Sequence, residues 1–192
     1  MSPTLNALAA TADEPARRHG VLHRWPTALG LAAAAGQVAL GPDTETIATV
    51  IAVAVLCYLG AAALDRRWVA WAGCLVFPVV VVGSQAAGLA WWVSGGAVAL
   101  VLVVAGLLLR VPRPPLTAQT AALLGYGGLA LLASFLAPRA GLALAGAGLI
   151  GHGVWDVVYY RRNQVVYRSL AEFCVLLDVP LGVTAVALAI AG

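Results

Sequence analysis

Seven stretches of nearly unbroken apolar residues divide the chain, at approximately 26–41, 45–64, 68–84, 89–110, 117–136, 140–160 and 169–190. Helix punctuation stands between them or at their ends: Pro26, Gly41-Pro42, Pro112 with Pro114-Pro115, and Pro138. A bilayer core is about 30 Å thick and takes about 20 apolar residues as a helix, and most of the runs meet that length. Backbone groups in lipid must be satisfied within the segment, which makes each run a helix. The pattern therefore predicts an all-α polytopic integral membrane protein, a bundle of seven transmembrane helices. The first run is short and carries Gln37. Pro78 lies inside the third, where it removes a backbone hydrogen bond and should kink the helix.

Residues 1–20 form the only long polar stretch, with Asp13, Glu14, Arg17 and Arg18 and no early apolar core. They do not read as a signal peptide. The expected organisation is a polar cytoplasmic tail and interfacial segment at 1–25, followed by a single seven-helix membrane domain at 26–192. His19 and His23 share a helix face beside three Arg, which reads as a solvated patch at the membrane surface.

Composition agrees with this division. Of 192 residues, 62% are apolar and 10% charged, which excludes a water-soluble globule. The 21 glycines would weaken soluble helices, but in lipid they let helices approach closely. The basic residues are all Arg, and their placement tests the span count. Ten of the 11 fall on one side if spans alternate seven times, leaving Arg139 alone on the other. By the excess of positive charge on the cytoplasmic side, the N-terminus is expected inside and the C-terminus outside. The net charge of +3 thus reads as topology, and no nucleic-acid partner is expected. Cys57, Cys74 and Cys174 lie within apolar runs without metal-ligand spacing and read as packing residues.

Five of the eight acids have ordinary explanations: Asp13 and Glu14 in the tail, Asp43 and Glu45 at a helix start, Asp65 beside Arg66 and Arg67. Asp156, Glu172 and Asp178 remain, all in the last two runs. An ionised Asp near a helix centre costs about 2.5–3.5 kcal/mol on insertion scales, so these positions are functional candidates. His152 and Asp156 are four apart and share a helix face with Trp155 and Tyr159. Cys174 and Asp178 repeat that spacing in the antiparallel last run. A hairpin would bring His152 opposite Asp178 and gather one His and two Asp at one depth, with Glu172 directed to the Arg-rich interface.

Three kinds of chemistry could use such a cluster. Interhelical hydrogen bonds alone contribute about 0.6 kcal/mol on average in lipid, little return for burying ionisable groups. A metal needs three or four convergent ligands and the membrane runs hold no second His, so no metal or other cofactor is expected. Acid catalysis needs a carboxyl that keeps its proton, which burial in a low-dielectric pocket favours, and aromatic faces that stabilise a cation. Tyr126, Tyr160, Trp92, Trp71 and Tyr58 supply further rings in the runs. The chain contains no GxSxG, HExxH, phosphate-binding or dinucleotide-binding motif.

The stretch His152-Gly153-Val154-Trp155-Asp156, with Cys174 and Asp178 following, resembles the C-terminal signature of small bacterial integral membrane proteins, in which the position of Tyr159-Tyr160 often carries His-His. Size, seven spans, intramembrane acids and many aromatics also resemble the membrane-integral terpene cyclases of meroterpenoid pathways. That resemblance implies a multi-pass protein of the bacterial inner membrane. It implies metal-independent cyclisation of a lipophilic prenyl chain, started when a buried acid protonates an alkene or epoxide. Asp156 is the expected proton donor, His152 its orienting partner and Asp178 a second acid. Trp155, Tyr159, Tyr160, Cys174, Tyr126 and Trp92 are expected to line the substrate site. The expected partners are a prenylated small molecule and membrane lipid. The alternative from another class is a proton-coupled transporter or channel that uses the same His/Asp cluster.

Overall fold

The computed structural model describes residues 24–191, and these are helical almost throughout. The expected tail, with His19 and His23, lies outside the described residues, as does Gly192. Seven helices run in order: α1 (Trp25–Leu40), α2 (Thr44–Ala63), α3 (Trp68–Ala86), α4 (Trp91–Leu108), α5 (Arg113–Ala133), α6 (Pro138–Arg162) and α7 (Arg168–Ala191). Among the described residues, α2 to α7 are the six long and apolar enough to cross a membrane. Helix α1 has 16 residues, or about 24 Å at 1.5 Å per residue, which is short of a hydrocarbon core.

Local chemistry sets the boundaries. Asp43 caps α2, its carboxylate accepting from the Thr46 N–H at 2.8 Å. Gly41 and Asn163 end α1 and α6 in the left-handed conformation. Pro114 and Pro115 fall inside the first turn of α5, where a missing N–H costs nothing, so this helix begins about four residues earlier than the apolar pattern suggests. Within α5, Leu123–Gly127 forms a π-turn that carries Tyr126.

Helix α2 is the hub. It packs against α3, α4, α5 and α6 and is largely buried, while α3 and α4 turn Leu75, Val79, Leu100 and Val101 outward. Helices α6 and α7 form the tightest pair, crossing at Gly146 and Gly182. A Cβ added at Gly146 would lie 2.8 Å from the Gly182 carbonyl oxygen, and one at Gly182 would lie 2.7 Å from that of Gly146. Only glycine permits this approach, and it sets the register that brings His152 level with Asp178.

Candidate functional site

The site assembles from α2, α6 and α7. Four residues separate His152 from Asp156 on α6, which stacks them on one face, and the glycine crossing brings that face against Asp178. His152 Nδ1 lies 2.8 Å from one oxygen of Asp178 and 3.4 Å from one oxygen of Asp156. From the hub, the Tyr58 hydroxyl donates to the other Asp156 oxygen at 2.6 Å. Tyr58, His152, Asp156 and Asp178 are each 0% exposed. The hairpin geometry expected for the last two runs is thus present, with all three ionisable groups at one depth.

The cluster is not internally complete. His152 Nε2, Asp156 Oδ2 and Asp178 Oδ1 are buried and have no hydrogen-bond partner. An unsatisfied buried polar atom costs about 1–3 kcal/mol, and more when charged, so these three atoms weigh against the stability of the fold. Asp178 lines a cavity of about 230 Å³ between α1, α2, α3 and α7. Asp156 sits behind it, held by Tyr58. The cavity wall also carries Cys57, Cys74 and Cys174, the three cysteines of the chain, with the Cys57 and Cys74 sulfurs 3.6 Å apart.

Aromatic rings enclose the opposite side. Tyr126 and Tyr58 meet the His152 ring edge-on, with centroids at 5.3 and 5.6 Å. Trp155 stacks on Tyr159 at 5.2 Å, and Tyr159 meets Tyr58 at 5.5 Å. Trp155 also donates its indole N–H to Gln119 at 3.3 Å. The Tyr126 hydroxyl donates to the Gly151 carbonyl at 3.0 Å, one residue before His152.

Of the residues expected at the site from the sequence, Asp156, Asp178 and Tyr126 meet the His152 imidazole, Trp155 and Tyr159 extend the group through Tyr126 and Tyr58, and Cys174 reaches the cavity. Two do not join them. Tyr160 points outward on the next position of α6 and carries the Arg168 guanidinium 5.7 Å from its ring centre. Trp92 lies on α4 against Phe135 and Trp91, beside a separate apolar pocket. Glu172 accepts from the Thr27 hydroxyl of α1, away from the cluster.

The sequence offers Tyr58 only as one further ring and gives Gln119 no role. Gln119 is 1% exposed, and nothing in the local pattern near the start of an apolar run marks it as buried. Tyr58 is one ring among many in the sequence, and only its place on the buried hub distinguishes it.

Comparison with family models, curated proteins and solved structures finds no match to this chain.

Proposed function

We propose that this protein is an integral membrane enzyme that starts the cyclisation of a lipophilic prenyl chain by donating a proton from a buried carboxyl. In this reading the chain crosses a bacterial inner membrane seven times, N-terminus inside, as the Arg distribution favours. The observation that carries the reading is the His152 nitrogen shared by two fully buried carboxyls, one of which forms part of a cavity wall. In this reading Asp178, which lines the cavity, is the donor and Asp156 its backing group, where the sequence alone suggested Asp156 as donor.

The proposed step is an isomerisation that balances within the site. The O–H bond of the Asp178 carboxyl breaks as a C–H bond forms on an alkene carbon. The alkene π pair is consumed, leaving a tertiary cation. A second alkene of the same chain attacks it, closing a C–C bond. The last cation loses a proton to the His152–carboxylate cluster, which restores the acid. His152 holds the Asp178 oxygen that is not donating, while Tyr58 stabilises charge on Asp156. Exclusion of water protects the cation from quenching.

A second reading has one observation in its favour. One ligand atom each from His152, Asp156 and Asp178 lie within 4.8 Å of one another, close enough to converge on a divalent metal. The test is turnover of a farnesylated aromatic substrate by purified protein, with products resolved by mass and retention time. Asp178→Asn should abolish product while wild type persists in chelator. Chelator-sensitive turnover would move the assignment to the metal. Absence of turnover on any prenylated substrate, with acidification of proteoliposomes under a gradient, would establish proton transport instead.

A further inference from the structure

The cavity at Asp178 has a hollow on either side, and the three share walls along the cleft between α1 and α3. Helix α1 packs on α7 and α3 packs on α2, but α1 and α3 barely touch. At one end the gap between them is bridged by Trp25 against Trp71, centroids 5.1 Å apart, beside a hollow that shares Cys74 and Phe173 with the Asp178 cavity. At the other end the cavity shares Gln37, Thr49, Val50 and Val82 with a third hollow, whose rim carries Asp43, Glu45 and Gln85.

The polarity of the cleft changes along its length. The Trp68–Trp71 end is apolar and aromatic, and the middle is apolar except for the thiols, Gln37, Thr49 and Asp178, one of whose oxygens is held by His152 while the other is buried without a partner. The far rim holds two exposed carboxylates and no Arg. Asp43 uses one oxygen to cap α2, and Glu45 accepts from the Gln85 amide at 2.7 Å, so both retain acceptor capacity toward a ligand.

We infer that this cleft binds a single-chain amphiphile whose head, cationic or rich in hydrogen-bond donors, sits at Asp43 and Glu45 while its apolar chain runs past Asp178 between α1 and α3. Charge complementarity selects the head, because an anionic phosphate or carboxylate would meet two carboxylates with no counter-charge on the rim. The narrow middle selects the chain: about 230 Å³ is below the roughly 300–1,000 Å³ of sites that enclose a whole ligand, so it takes one segment of an extended unbranched or prenyl chain. The inference deepens the proposed cyclase by naming its substrate as an amphiphile with a donor head and excluding a prenyl diphosphate. For the chemistry it rests on that reading, but for binding it stands alone.

Cys74, partly exposed in the cleft, is a native reporter. Protein in lipid vesicles is treated with a long-chain N-alkylmaleimide, and the Cys74 adduct is followed by peptide mass mapping. Dodecylamine should slow the labelling at concentrations roughly tenfold below those needed with dodecyl sulfate. Glu45→Gln should narrow that preference by about two- to fivefold, the range for an exposed ion pair. Val82→Trp enlarges a residue that lines both the Asp178 cavity and the far hollow and should abolish protection. Equal protection by both heads, in wild type and Glu45→Gln alike, would overturn the choice of head. Absence of protection by either amphiphile would overturn the binding cleft. The measurement needs no turnover, so Asp178→Asn should still show amine protection. Head-selective protection in an inactive wild type would therefore overturn the cyclase and leave the cleft standing.

Discussion

Two cavities of similar size flank the hub helix α2. One, of about 270 Å³, lies between α2, α4 and α5 and is lined by Val55, Leu56, Trp92, Ala99, Leu124, Gly127 and similar residues, without a titratable group. The other, of about 230 Å³, holds Asp178, and behind it stand His152 and Asp156. Volume and greasiness are shared, so neither distinguishes a site from a packing defect. What differs is the cost of the wall. The first cavity places nothing in the fold that an apolar interior resists, whereas the second is backed by three buried ionisable groups with unsatisfied atoms. That difference in cost is the reason to look for the proposed chemistry on the α2–α6–α7 side.

The largest expected effect removes the acid. Asp178→Asn keeps shape and most hydrogen bonding but cannot donate an acidic proton, so turnover of a farnesylated aromatic should fall by roughly 10²–10⁴-fold while the protein remains folded. Steady-state rates and a thermal unfolding scan of the same preparation check both halves. Next is the converse, an acid placed in the inert cavity. Ala99→Asp should destabilise the bundle by about 2.5–3.5 kcal/mol and create no activity, as read by denaturant unfolding in micelles. A stable, unaffected Ala99→Asp would mean that the two cavities tolerate charge equally and that burial at Asp178 signifies nothing.

Smaller effects sharpen the comparison. Gly146→Ala pushes α6 from α7, and at about 1–3 kcal/mol of overpacking it should lower stability and activity together, because it displaces His152 from Asp178. Tyr58→Phe removes the hydrogen bond to Asp156, expected to cost about 1.5–3 kcal/mol if that carboxylate is charged, with a change in product ratio as the backing charge is less well held. Trp92→Ala, beside the inert cavity, should leave kcat/KM within about twofold, within the range of substitutions remote from a site.

Much of the arrangement was legible before folding. The last two helices announced themselves because acids in apolar runs are expensive, and the spacing from His152 to Asp156 fixed their shared face. Which of the two aspartates lines a cavity was not legible. Periodicity gives the face of a helix but not which side chain meets a void, and the void at Asp178 exists because α1 leans on α7 and leaves α3. Tyr58 was hidden for the same reason: its partner is 98 residues away, and nothing local marks it. Trp92 shows the converse, since an aromatic residue in an apolar run looks alike beside the cluster and beside the other cavity, where this one lies. The short α1 was visible in the run length, but its role as one wall of the cleft was not.

The central claim is that a proton from the buried carboxyl ends on carbon, and isotope transfer tests it directly. Protein equilibrated in D2O until its buried acids have exchanged is mixed with an unlabelled farnesylated aromatic for a single turnover, and the cyclised product is examined by mass spectrometry and NMR. The account predicts one deuteron in a new C–D bond at the terminal end of the prenyl chain, absent with Asp178→Asn. Cyclised product formed at the wild-type rate with no deuterium on carbon would contradict it.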